Sequence, residues 1–520
     1  MEETEKGVET SRTEEPLRRQ SVEAVDHHEQ YLVRDRTFGE QFSGCYASRL
    51  RELEPAVRAQ LTPAEAAACT RVADLRGDGH AQTLVGTLVK VARRLPNLLA
   101  EYAAARVITG FRWAHGAVYV DPADELYLED ASGRVRVVFE SKGNEGEEDD
   151  GNKGENKDGK EEKEDKDDDD DPTREYPTGV VVGLVGVYDA GTNRFVVPRV
   201  GGVRTAGPRL CELASGVDGD GDDGASAAEL AARGHRFVLL VSGLRFGSAR
   251  ARPLCAHALA QWLAGNIGGA AERTLAASVV RVIIAGDSIA VGDDENDGDS
   301  GDNNNKDGKD GDKKKEEEDK KRGAPKRTST ALLSEALEAL DDVLTGVAAS
   351  CAVDVMPGPR DPANSALPQQ PVERLLLPAA AAFASCRLVT NPHTVTVADT
   401  VFTGTAGQNV DNLAALTAGA DRLTLLQRTY EWRHAAPTAP DTLGCFPAHD
   451  RDRLVLGAAG TPLPHVYFAG NQPAFATRAA ADPRAGARVR LVLVPVFAHT
   501  GTAVLVDTAT HVVRTLTIAL

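Results

Sequence analysis

The chain has 520 residues with 42% apolar but only 5% aromatic content, and no apolar run approaches the ~20 residues that a membrane span needs. Its formal charge of −19 is concentrated, since residues 141–171 hold 16 acids against 6 lysines and residues 292–322 hold 13 acids against 8 bases. The remainder is close to neutral and shows no basic stripe. That argues against a protein whose main task is gripping a phosphate backbone, where released counterions supply most of the affinity.

The first residues (MEETEKGVETSRTEEP) are charged and lack the apolar stretch of a signal peptide, so a soluble protein made in a reducing compartment is expected. Seven scattered cysteines, an odd count with no metal-binding spacing, read as buried thiols. Residues 1–30 are polar enough to be a disordered tail. Residues 31–80 form a helical segment in which Phe38, Phe42, Tyr46, Leu50 and Leu53, three or four apart, predict one apolar docking face.

Residues 81–205 read as β. Runs at 82–91, 125–140, 178–188 and 195–200 are strand-like, with Gly inside the central runs and Ser-Gly or Ala-Gly-Thr-Asn turns between them. Short strands bent at Gly suggest a small curled barrel, and the OB-fold is the economical choice. The acidic insertion 141–172 falls between two strands and must be a surface loop. The candidate strands carry few aromatics, chiefly Tyr127, Phe139 and Phe195, beside acids such as Glu125, Glu129 and Asp130. Contact with protein is therefore favoured over stacking on single-stranded nucleic acid.

Residues 206–235 read as an acidic linker. Asp218, Asp220, Asp222 and Glu229 match an EF-hand loop at its first, third, fifth and twelfth positions, but Asp223 stands where the turn demands Gly, so a linker is the better reading than a calcium site. From residue 236 to 520 apolar strands (FVLLVSG, VVRVIIAGD, AVDVM) alternate with helices. One helix, 250–264, directs Leu254, Leu259, Trp262 and Leu263 inward; the other, after the acidic insertion 292–327, carries Leu333, Leu337, Leu340 and Leu344. That alternation predicts a mainly parallel sheet. The closing runs (RVRLVLVPVF, TAVLV, VVRTLTIAL) predict an antiparallel meander that completes a second sheet.

Ligand sites in open α/β sheets lie beyond the carboxyl ends of the strands. Here those ends are Ser242-Gly243-Leu244, Gly286-Asp287-Ser288, residues 357–361, Asn391-Pro392-His393 and residues 470–473. The series resembles the calcineurin-like metallophosphoesterases, which hold two metals with an Asp-x-His, a Gly-Asp-x-x-Asp, a Gly-Asn-His-Asp, a lone His and a Gly-His-x-His. Two cations a few Å apart need that many N and O donors. This chain keeps Asp287, Asp361 and His393. Ser242 and Leu244 replace the first Asp and His, Ala290 the second Asp, Pro359 and Arg360 the Asn and His, and Asn471 and Gln472 stand in the last loop. The expectation is a vestigial pocket that binds no metal or cofactor, with Arg360 repelling any cation. No Gly-x-Ser-x-Gly elbow and no Walker A loop offers another chemistry.

A barrel in front of such a sheet resembles the B-subunit family of the replicative DNA polymerases, with the wording of its delta branch. The match runs through LVGTL, DPADELYLED, RFVLLVSGL, VDVMPGPRDPAN, LPQQP, LVTNP, GTAGQN, RHAAPTAPDTLGC and HVYFAGNQP. Its diagnostic blocks contain Gly407, Gln408 and Asn409 and then Pro440, Asp441 and Thr442. The resemblance implies a noncatalytic nuclear scaffold in DNA replication and repair. It would join the cysteine-rich C-terminal domain of the catalytic polymerase subunit to a third accessory subunit, serve the polymerase zeta catalytic subunit in relatives, and meet DNA only indirectly. The alternatives are an active metal-dependent phosphodiesterase of the same architecture and a single-strand-binding OB module.

Overall fold

A computed structural model describes residues 18–34, 39–95, 118–140, 172–213, 224–291 and 329–519, apart from 459, 484, 485 and 487. Residues 141–171 of the first acidic insertion, all of the second, Phe38 and the first six positions of the EF-hand-like loop lie outside the described residues.

Five strands close a barrel. Ala81–Val91 pairs antiparallel with both Glu125–Asp130 and Val181–Asp189, and the ring is completed through Gly133–Phe139 and Arg194–Val197. Gly86 and Gly186 stand where strands crowd: a Cβ at Gly86 would lie 2.5 Å from the Glu129 carbonyl, and one at Gly186 would lie 2.2 Å from that of Val196. The glycines thus permit the curl that the sequence predicts. This is the OB-type barrel expected, with Cys69–Thr70 and Val203–Thr205 added at its flanks.

The second region is a two-sheet α/β sandwich. In one sheet Cys386–Leu388, Ala352–Met356, Val279–Ala285 and Phe237–Val241 are parallel neighbours, followed by antiparallel Thr502–Asp507 and Val513–Thr517. Strand Phe237–Val241 shows why its sequence is apolar throughout. Phe237, Leu239 and Val241 pack on the helices Pro253–Leu263 and Ser329–Ser350, whereas Val238 and Leu240 meet Val395, Phe402, Phe468 and Val492 of the other sheet. Alternation survives, but both faces are dry, and each such side chain contributes about 1.5–3 kcal/mol by leaving water.

Several expectations are corrected. The supposed tail supplies strand Ala24–Asp26, which pairs with His393–Val397 at the edge of the seven-stranded sheet. The docking helix is Ser43–Ala59, and its buried side chains are Cys45, Ser48, Arg49, Leu53 and Val57, while Phe42 is 45% exposed. The linker contains helix Ala227–Ala232, where Glu229 caps rather than ligates: the Ser226 N–H and hydroxyl both donate to its carboxylate. Leu254, at the first turn after Pro253, is 73% exposed, so Cys255 and Ala256 join Leu259, Trp262 and Leu263 inside instead. The closing strands are not one meander. Arg488–Pro495 lies in the seven-stranded sheet, parallel to Val466–Gln472, and the chain then crosses through helix Phe497–Thr500 to the six-stranded sheet.

Barrel and sandwich share one apolar cluster. Leu84, Leu126, Val137 and Phe195 of the barrel are continuous with Val410, Leu413, Leu426, Trp432, Tyr467 and Leu491.

Candidate functional site at the sheet edge and the seam beside it

Strand Val279–Ala285 ends in two left-handed residues, Gly286 (φ +76°) and Asp287 (φ 54°), which turn the Asp287 carboxylate toward the loop after Ala352–Met356. Gly358 lets that loop approach, since a Cβ there would lie 2.4 Å from the Asp287 nitrogen. Arg360 then takes Asp287 twice. Its backbone N–H donates to Oδ1 at 3.1 Å and its guanidinium to Oδ2 at 2.7 Å. Asp361 faces inward and accepts the N–H groups of Ile289 and Gly358, each at 2.8 Å. Burial, and then the neighbouring Asp287 charge, push its carboxyl up to about 7.

Ser242 and Asn471 join the two sheets at this edge. The Ser242 hydroxyl donates to the carbonyls of Val494 and Pro495 and accepts the Asn471 N–H at 2.9 Å. Asn471 (φ 55°) donates its amide to the carbonyls of Ala285 and Ala406. Gln472 is fully buried, donates to Gly470 O and accepts from Arg422 at 3.0 Å. Of the expected pocket residues, then, Asp287, Arg360 and Asp361 meet directly, and Ser242, Asn471 and Gln472 are taken up by internal hydrogen bonds. Two depart from the expected constellation. Leu244 packs into the helix-side core. His393 lies buried with Nε2 3.3 Å from Asp354, a carboxylate that Arg281 and Arg387 also bind. Among the described residues no three His, Cys, Asp or Glu side chains come together as a metal-holding group.

The diagnostic blocks occupy two places. Near the edge, the half-buried Gln408 joins the buried Asn391 and Gln369 in an amide cluster: Asn391 donates to Gln369 at 2.7 Å and to Gln408 at 3.2 Å, and Gln408 donates to Gln369 at 3.1 Å. Gly407 has φ +94°, and a Cβ there would lie 1.9 Å from Gly470 O, so only Gly allows the crossing. Asn409 ties the next turn down by donating to Ala435 O and accepting from Thr405.

The second place is the seam between barrel and sandwich. Arg49 is 1% exposed, and its guanidinium donates to Asp452 (2.7 Å), Pro437 O (2.6 Å), Ala439 O (2.6 Å) and Gly179 O (3.0 Å). The 437–442 segment is thereby held against helix and barrel together. Ala439–Pro440 is a cis peptide, Thr442 donates to Asn412 at 3.0 Å, and burial raises the Asp441 carboxyl. His434 also reaches Asp452, at 2.9 Å, while burial and the Arg49 charge lower its own pKa and favour the neutral ring. Sequence reasoning missed this arginine. Its signal was present, because Cys45, Arg49, Leu53 and Val57 recur every four residues and a charge on such a face demands a buried partner.

Residues 41–200 match the family model of the DNA polymerase delta subunit OB-fold domain, and residues 238–477 match that of the DNA polymerase alpha/epsilon B-subunit. The chain is 34% identical over 424 residues to the DNA polymerase delta small subunit of Arabidopsis thaliana, covering 82% of this chain and 79% of the relative. The chain belongs to the DNA polymerase delta small-subunit family. The small subunit of Oryza sativa subsp. japonica is 30% identical, with 94% of this chain and 96% of the relative covered; DNA polymerase delta subunit 2 of Drosophila melanogaster is 28% identical, at 92% and 93%. Membership makes the protein an accessory subunit of a DNA polymerase complex and places it in DNA replication. Both matched regions meet at the seam, where the small-subunit chain puts Arg49 of the first against residues 437–452 of the second.

Proposed function

We propose that the protein is the noncatalytic scaffold of nuclear polymerase delta, its sandwich a calcineurin-like phosphoesterase domain that has lost its chemistry. On this reading it joins the cysteine-rich C-terminal domain of the catalytic subunit to a third accessory subunit, and a polymerase zeta catalytic subunit can use the same seat. The carrying observation is the Arg360 guanidinium, which binds the Asp287 carboxylate at 2.7 Å and so brings a fixed positive charge to the one family-position acid of that loop. Ser242, Asn471 and Gln472 are spent on internal hydrogen bonds, which supports the same reading.

Direct DNA binding draws no support from the barrel. Phe195 and Phe139 are buried in its core, and Tyr127 donates to Glu125 at 2.7 Å beneath Arg134, leaving among the described residues no row of exposed rings for bases to stack on. Among the described residues no helix is long and apolar enough to cross a membrane.

The test is co-purification of the full chain with the C-terminal domain of the polymerase catalytic subunit. A stable complex on gel filtration is expected, and failure to associate overturns the scaffold. Manganese-dependent phosphodiester hydrolysis that Asp361→Ala abolishes would instead restore an active esterase. Steeply salt-dependent binding of the chain to single-stranded DNA would favour the barrel as a nucleic-acid module.

A further inference from the structure

Seven thiols are free in this structure, and two of them meet across the seam. Cys45 comes from the first turn of helix Ser43–Ala59, and Cys445 closes the diagnostic 440–445 block. They belong to one small apolar cluster with Leu367, Ala436, Ala439 and Leu454. The Cys45 sulfur also lies 3.3 Å from the Ala448 N–H, which donates to it, and 3.7 Å from Phe446 O. Both thiols line a cavity of about 520 Å³ shared with the half-exposed His449, which gives a small oxidant a route to them.

We propose that Cys45 and Cys445 are a peroxide-sensitive pair that closes into a reversible disulfide and locks the N-terminal helix onto the sandwich. The Cys45 thiolate attacks one oxygen of hydrogen peroxide, the O–O bond breaks, and hydroxide leaves and takes up the thiol proton as water. Cys445 then attacks the Cys45 sulfenic sulfur, the S–O bond breaks, and a second water leaves. Two thiols and one peroxide thus give one disulfide and two waters, the sulfurs losing the two electrons that the peroxide gains.

The assignment of attacker follows from the surroundings. The Cys445 thiol and the Ala448 amide together draw the Cys45 thiol below its ordinary value against the cost of burial. Burial instead raises the thiols of Cys351 and Cys386. Thiolate character governs reactivity. In a reducing compartment such a bond is transient, as befits a sensor rather than a structural staple.

The experiment uses the reduced full-length chain, treated with hydrogen peroxide, blocked with N-ethylmaleimide and digested without reductant. A linked peptide containing Cys45 and Cys445 is expected, reversible with dithiothreitol, and free Cys45 should disappear at least ~10-fold faster than Cys351 or Cys386. Closing a loop of about 400 residues should also speed migration on a non-reducing gel. Cys45→Ser and Cys445→Ser should each abolish the link while melting as the reduced protein does. Links that mainly join the exposed Cys211 to other cysteines would overturn the proposal, as would recovery of both thiols unoxidised once Cys211 has reacted.

Discussion

The sheet edge and the seam are both buried and polar, yet they are built to opposite standards. At the seam one guanidinium reaches four acceptors, and its single carboxylate partner is shared with a neutral histidine. At the edge, Asp287 and Asn471 hold left-handed backbone, and the Asp361 carboxyl sits in the field of the Asp287 carboxylate, which Arg360 binds. Strain of that kind persists where a surrounding structure over-determines it. The contrast separates a joint that holds the two regions together from a constellation kept in place by its neighbours.

The sharpest way to break the contrast is Arg49→Ala. It strands Asp452 in the seam, and a loss of about 3–5 kcal/mol is expected, read from denaturant midpoints. A loss under about 1 kcal/mol would show that the seam does not depend on its ion pair.

Next comes pH. The folded Asp361 carboxyl titrates near 7 and the unfolded one near 3.8, so its protonated form favours the fold. That contribution is fully present below about pH 4 and is lost as pH rises through 7, by up to about 4 kcal/mol for a shift of this size. Wild type should therefore lose stability relative to Asp361→Asn between pH 5 and pH 8 (about the interval that brackets the folded value) in parallel urea titrations. A constant difference would mean that the carboxyl is ionised throughout.

Ser242→Ala should cost about 1–3 kcal/mol, because the buried Asn471 N–H loses its acceptor; thermal unfolding measures it. The smallest effect belongs to Arg422→Ala. Its pair with Asp411 is about one-third exposed and worth little, so the expected loss of about 1 kcal/mol comes mainly from the buried Gln472 oxygen left without its donor.

The fold was legible where burial imposes a pattern. The apolar runs of Phe237–Val241 and Val279–Ala285, and the glycines of the barrel strands, announced themselves in composition alone. Edge strand Ala24–Asp26 did not, because three residues with one buried neighbour strand need no apolar alternation. The crossing at Val496 was invisible for another reason. Strands of both sheets face the same inter-sheet core, so Val492 and Val504 look alike in sequence although they belong to different sheets. At the site, loop positions brought Asp287, Arg360 and Asp361 together as expected. His393 went to Asp354, a strand carboxylate whose apolar neighbours hid it, and Arg49 was passed over inside a helix face.

The crossing through Phe497–Thr500 also bears on synthesis. Strand Phe237–Val241 is the first strand of the six-stranded sheet to be made, but its antiparallel neighbour Thr502–Asp507 is made some 260 residues later, and loop closure over that span is slow. On the ribosome the barrel strands emerge early and can pair among themselves, while Phe237–Val241 waits with one edge open. A chaperone that shields that edge, or a nascent partner that arrives before residue 502, would decide how much of the protein reaches its folded state.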